Sequence, residues 1–248
     1  MSNQQFKNEC VQEIALQGQD SEFRKQSSGW INKAQKLKYS YHFEWLGRPI
    51  IQYPQDIVAM QELIWSVQPD LIIETGIAHG GSLIFSASML ELVAACGGPQ
   101  NAEVIGVDID IRAHNRQAIE SHPMFKRISM IQGSSVAPDI VEQVTMKAKG
   151  KKRVLVCLDS NHTHEHVLAE LQAYALLTTI GSYCVVFDTV IDDMPAEMFP
   201  DRPWGPGDNP KSAVREYLKG HAEFEVDRQF NDKLQISVAP DGYLKRVR

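Results

Sequence analysis

An apolar run from Arg153 to Leu158 leads directly into Asp159-Ser160-Asn161-His162-Thr163-His164-Glu165-His166. A second run, Ser182 to Phe187, ends in Asp188-Thr189. Carboxylates at the ends of two adjacent strands are well placed to share one hard divalent cation, magnesium above all. Such an ion holds a substrate diol and lowers the pKa of one hydroxyl. His162, just beyond Asp159, is placed to take that hydroxyl's proton. The plainer reading of both aspartates is helix capping or loop hydrogen bonding.

The run His162-x-His164-x-His166 also invites zinc, because imidazoles favour it. It falls one residue short of the H-x-H-x-D-H of metallo-β-lactamases and carries glutamate instead. On a helix His162 and His166 share a face while His164 points away. A zinc-dependent hydrolase using His162, His164 and His166 is therefore the alternative reading.

A second constellation precedes these. Leu71-Ile72-Ile73-Glu74 is a buried-strand run, and Glu74-Thr75-Gly76-Ile77-Ala78-His79-Gly80-Gly81 follows as E-x-G-x-x-x-G. Gly76 permits a tight turn and close backbone approach. Gly80 and Gly81 let the chain enter a helix whose free amides suit a carboxylate. Dinucleotides usually meet G-x-G-x-x-G, and this loop lacks that spacing. A methionine-derived cofactor, with its carboxylate and amine, fits better. Asp108 ends the next strand, where an acidic residue accepts ribose hydroxyls. Ser134 follows the third strand, where an adenine ring would lie.

The elements that must hold these residues are legible from Pro54 onward. Apolar strand runs at 71–74, 103–108, 127–132, 153–159 and 182–188 alternate with helical stretches at 56–67, 82–95, about 109–120, 139–149 and 163–177. That alternation indicates a parallel sheet covered on both faces. A helix at 211–219 follows, then strand-like runs at 224–227 and 234–238. The polar stretch 228–233 between them suits a hairpin turn. Five βα units and a terminal hairpin fit a seven-stranded methyltransferase sheet. Residues 1–52 read as an extension of one or two helices ending in an aromatic cluster, Tyr39 to Trp45, able to line a substrate pocket or an oligomer contact. Residues 53–248 form the main domain, with a long loop at 189–211 placed to close over an acceptor. Trp204 in that loop offers an aromatic face to a sugar ring.

The residues resemble the cephalosporin hydroxylase-like proteins, which include macrolide-sugar and rhamnosyl O-methyltransferases. The similarity runs from about Lys36 to the C-terminus. It rests on Glu74-Thr75-Gly76 with Gly80-Gly81-Ser82, on Val107-Asp108-Ile109-Asp110, and on Asp159 to Thr163 with His166-Val167. The resemblance implies an α/β, Rossmann-like class I methyltransferase with a seven-stranded, mostly parallel sheet. It implies S-adenosylmethionine held by Glu74, Gly76, Gly80, Gly81, Ser82, Asp108, Ser134 and Asp159. By analogy Asp159 and Asp188 bind magnesium, His162 is the general base, and a sugar hydroxyl is methylated. One position departs: Phe187 stands where the macrolide-sugar members carry an acidic residue. Magnesium here would replace that ligand with water, Asp192 or Asp193. The same departure is the one argument for a cofactor-binding protein without catalysis.

Composition sets the surroundings. A net charge of −6 argues against broad nucleic-acid binding. Met1 to Glu9 carry no apolar signal run, and no stretch approaches the roughly 20 apolar residues of a bilayer span. A cytoplasmic enzyme acting on a small molecule or glycan, assembled as a homo-oligomer, is expected. Cys10, Cys96, Cys157 and Cys184 form no C-x-x-C pair, and the last two lie in strand runs as small buried hydrophobes.

Overall fold

The computed structural model describes residues 2–248. Two helices, α1 (Asn3–Gln19) and α2 (Ser21–Lys36), precede a short ribbon of β1 (Phe43–Trp45) and β2 (Arg48–Ile50). Then come α3 (Pro54–Val67), β3 (Leu71–Thr75), α4 (Gly81–Ala95), β4 (Glu103–Asp108) and α5 (Ala113–Glu120). The alternation continues through β5 (Ile128–Gln132), α6 (Pro138–Ala148), β6 (Val154–Leu158), α7 (His164–Tyr174) and β7 (Tyr183–Val186). The chain ends with α8 (Pro210–Gly220), β8 (Phe224–Val226), α9 (Arg228–Leu234) and β9 (Tyr243–Arg246).

β3 to β9 form one seven-stranded sheet in the order β5-β4-β3-β6-β7-β9-β8. The first five strands in sequence are parallel, and β9 runs antiparallel to both β7 and β8. Every residue of β3, β6 and β7 is buried, as continuous apolar runs in a doubly covered sheet must be. The chain moves outward from β3 to β5 and returns beside β3 as β6. That reversal opens a crevice at the carboxyl ends of β3 and β6.

The terminal antiparallel pair is present, but not at the expected residues. Arg228–Leu234 is a helix rather than a turn, and the second strand is Tyr243–Arg246 rather than Leu234 to Val238. The reason is a buried carboxylate. Asp56, on α3, accepts from Ser237 Oγ at 2.6 Å, Val238 N at 2.9 Å and Tyr243 Oη at 3.1 Å. Ala239 N then donates to Ser237 Oγ. Backbone groups that would join a strand ladder are committed to this anchor.

Burial outweighs those three bonds and pushes the Asp56 carboxyl up from its usual 3.8 to about 6. The folded protein thus binds this proton more tightly than the unfolded chain does. The contribution to stability is complete below pH 3.8, falls as pH rises, and is gone above about pH 6. The difference corresponds to about 3 kcal/mol. Asparagine can accept from Val238 N and donate to the two hydroxyls, either of which can accept. Asp56→Asn is expected to flatten the decline between about pH 4 and pH 7 by about that amount. Urea denaturation at the two pH values measures it, and an unaltered decline would assign the pH dependence elsewhere.

The extension is two helices plus the β1–β2 ribbon, which pattern alone did not suggest. Its aromatics divide their roles. Trp45 packs edge-on to Phe85 at 4.9 Å and donates Nε1 to Ser88 at 2.9 Å, fastening the ribbon to α4. Trp30, Tyr39 and Tyr53 pack together over the start of α3. Tyr41 instead faces the crevice.

Candidate active site

The loop after β3 takes its shape from positions glycine alone tolerates. Gly76 has φ +88°, and a Cβ there would overlap the carbonyl oxygen of Asp159. Gly81 opens α4 so close to Pro49 that a Cβ would overlap the Pro49 carbonyl. Between them Ala78 is held in the left-handed region at φ 45°. That conformation costs about 1–2 kcal/mol for a residue with a side chain, and the surroundings impose it. Asp108 Oδ2 accepts from Ile77 N at 2.8 Å and Ala78 N at 3.2 Å. Asn115 Nδ2 donates to the Ala78 carbonyl at 2.9 Å, and Arg48 Nε donates to the His79 carbonyl at 3.0 Å.

Asp108 therefore braces the glycine loop. Its other oxygen accepts from Asp110 N at 2.9 Å. Three of roughly four lone-pair positions of the carboxylate are taken. Arg48 and Asn115 were not expected in the site. Arg48 lies in the extension, and Asn115 lies inside a helix with nothing in its neighbourhood to mark it.

Glu74 lies beneath the loop, 5% exposed. Burial pushes its carboxyl up, opposed by hydrogen bonds from Ser86 and Ser82. It borders a small void of about 20 Å³ with Ser82, Cys157 and Phe187. Phe187 is itself buried in that wall.

Above the void is a cavity of about 280 Å³. Gly76, Gly81, Ser82, Asp159, His162 and Asp188 all line it. Gly80, Asp108 and Ser134 do not. Gly80 packs on Ile119, and Ser134 uses its carbonyl to accept from Ala137 N at the start of α6. The cavity's other wall, including Gln35, Ser40, Tyr41 and Gln52, comes from the extension and the turn before α3.

Asp159, His162 and Asp188 each present a donor atom, and these atoms lie within 4.8 Å of one another. His162 Nδ1 is 3.3 Å from Asp188 Oδ2. Asp188 sits in the left-handed region at φ 55°, a strained conformation of the kind that clusters at functional sites. Burial, then the charge of Asp188, holds the Asp159 carboxyl well above the usual carboxylate range. Two such carboxylates with one imidazole favour a cation between them, and oxygen donors suit magnesium. Asp192 and Asp193 do not complete the set. Asp192 accepts from Gly207 N, Asn209 Nδ2 and Arg215, and Asp193 is paired with Lys211 at 2.6 Å.

The three histidines diverge. His164 turns to Ser212 at 2.8 Å and Glu216 at 3.2 Å on α8. His166 Nε2 contacts Ser135 and Ser160 at 3.1 and 3.2 Å. Among the described residues only His162 joins the candidate metal cluster, so the zinc hydrolase lacks its ligands. In the long loop, Trp204 meets His162 edge-on at 4.8 Å, and Arg202 lies over the Trp204 ring at 5.2 Å.

Residues 37–247 match the model of the family described as Rhamnosyl O-methyltransferase/CmcI. A rhamnosyl O-methyltransferase of Mycobacterium leprae (strain TN) is 30% identical over 203 residues, covering 82% of each chain. One of Mycobacterium tuberculosis (strain ATCC 25618 / H37Rv) is 30% identical over 193 residues, 77% of this chain and 73% of the relative. Among solved structures, a CmcI complex with Mg and SAM superposes with a TM-score of 0.57 at 18% identity, covering 84% of this chain and 78% of the other. TomG from Streptomyces achromogenes, an O-methyltransferase of tomaymycin synthesis solved with SAM, gives 0.53 at 16% identity with 90% of each chain covered.

Proposed function

The chain belongs to the Rhamnosyl O-methyltransferase/CmcI family of S-adenosylmethionine-dependent O-methyltransferases, and on that premise we propose that its acceptor is a sugar hydroxyl deprotonated by His162. The supporting observation is the grouping of Asp159, His162 and Asp188 within 4.8 Å at the rim of the glycine-loop cavity. The named relatives act on rhamnosyl groups, and a glycan or natural product bearing such a sugar is the acceptor class we assign.

S-adenosylmethionine supplies an electrophilic methyl group on its sulfonium. The amides opening α4 would receive its carboxylate, and Glu74 would take its amine. Asp108, already bonded to the loop, has room for one ribose hydroxyl rather than two. His162 holds Nδ1 toward Asp188, which leaves Nε2 for the acceptor proton. Asp159 and Asp188 would hold magnesium, whose charge would lower a bound hydroxyl's pKa. With Phe187 in place of a further acid, the rest of its shell would be left to water. The cavity walls would hold the acceptor oxygen close to the methyl, and proximity supplies much of the rate.

The test is methyl transfer from labelled S-adenosylmethionine to a panel of rhamnosides and related glycosides, with product read by mass spectrometry. A single added methyl is expected. Excess chelator should lower the rate about tenfold or more, with magnesium restoring it. Full activity in chelator removes the metal, and transfer to no sugar removes the acceptor class.

A further inference from the structure

A second cavity, of about 530 Å³, adjoins the first. Val190 N donates to the Val238 carbonyl at 3.2 Å, joining one residue of each lining. Asp188 and Val238 line the first cavity, while Val190 and Ser237 line the second. Helix α2 runs past both. Gln35 borders the first, whereas Arg24, Ser28 and Asn32 border the second. Those three positions are spaced by four and share one face. Phe23, next to Arg24, is left 41% exposed. The buried face of α2 is Ser27, Ile31 and Ala34, as a surface helix usually arranges it, and the polar positions flank that face at the cavity wall.

The facing wall is polar and already fixed. Lys211, 3% exposed, holds Asp193 at 2.6 Å and Asp241 at 3.3 Å. Asp241 also accepts from Asn231 Nδ2 at 2.5 Å. A wall locked by its own hydrogen bonds loses little entropy when a ligand docks. Opposite it, the carboxamide oxygen of Asn32 has no hydrogen-bond partner. Neither Arg24 nor Arg228 at the cavity edge forms an ion pair among the described residues.

Cations and carboxylates balance across this lining, so nothing selects an anion. Apolar side chains are few, so nothing selects a lipid chain. A neutral polyol, whose hydroxyls donate and accept, matches mixed carboxylate, carboxamide and guanidinium groups. We propose that this cavity is a second acceptor subsite, taking the next sugar residue of a saccharide whose reacting hydroxyl lies beside His162. The proposal rests on the reading of the acceptor as a sugar.

Two probes test it: methyl rhamnoside and the methyl glycoside of a rhamnosyl-rhamnose disaccharide, each with S-adenosylmethionine and the full chain. The wild type is expected to favour the disaccharide about tenfold or more in kcat/KM. Ser28→Trp, on the helix surface, fills the cavity and should remove that preference through KM. Turnover of methyl rhamnoside should stay within about twofold. Asn32→Leu should remove part of the preference without blocking the space. Equal kcat/KM for both glycosides in the wild type, or equal losses on both in Ser28→Trp, overturns the subsite and leaves the sugar reading intact. Transfer to neither glycoside, in protein that still binds S-adenosylhomocysteine, overturns the sugar reading and the subsite with it.

Discussion

His162→Ala is expected to slow methyl transfer by about 10²- to 10⁴-fold, the range a positioned general base supplies. Affinity for S-adenosylmethionine should stay within about threefold, because among the described residues the one ion pair of this side chain is with Asp188 and not with the glycine loop. The geometry gives the ring one defined role. Nδ1 lies 3.3 Å from Asp188 Oδ2, which leaves Nε2 as the nitrogen turned away from that carboxylate. Trp204 against the ring edge limits its rotation. The loss should therefore fall on kcat, and added imidazole should return part of it. Isothermal calorimetry with S-adenosylhomocysteine and single-turnover transfer separate binding from chemistry. Transfer within about threefold of wild type would leave the metal pair as the sole activating group.

Gly76→Ala should abolish cofactor binding and destabilise the fold by about 3 kcal/mol or more. Two costs coincide. Alanine at φ +88° sits in the left-handed region, worth about 1–2 kcal/mol. Its methyl would also overlap the Asp159 carbonyl, a backbone group that cannot swing aside. Relief requires β3 and β6 to part at their carboxyl ends, where Asp159 N donates to Thr75 O at 3.0 Å. The same movement displaces Asp159 from Asp188 and His162. Gly97→Ala is the control: φ is +92° and its Cβ would meet nothing within 4 Å. That variant should lose only about 1–2 kcal/mol and keep its cofactor affinity. Urea denaturation and calorimetry report both quantities. Equal effects in the two variants would mean that the contact with Asp159 is not what matters.

The parallel half of the sheet was readable because burial on both faces leaves an unmistakable mark. Runs such as Leu71 to Glu74 and Val154 to Leu158 have no polar alternation to confuse with a surface strand. The last strand was misplaced for a different reason. Leu234 to Val238 has the alternation of a strand, but Asp56, far away in sequence, captures its hydrogen-bonding groups. A contact of that range leaves no local signal. The histidine run failed as a zinc site through helical geometry. His164 and His166 sit two positions apart on a turning helix, and His162 precedes it. Asp108 was found for its place at a strand end, but its hold on Ile77 and Ala78 depends on how the loop folds back. The wall contributed by α2 was invisible for the same reason: polar residues on a helix read as solvent-facing until the opposite side of the cavity is known.

The grip of Asp192 on Gly207, Asn209 and Arg215 has a consequence for how such an enzyme diversifies. It ties the short helical turn after β7 to the segment 15 residues further along, so the intervening chain is a bight closed at its neck. Motion of the tip is then decoupled from the sheet, and lengthening a closed loop costs little, about 0.6 kcal/mol per doubling. Residues between Ala196 and Asp201 can be exchanged or extended while Asp188 and His162 keep their places, whereas Trp204 must stay for its contact with His162. The tip can thus drift in sequence without disturbing the residues beneath it.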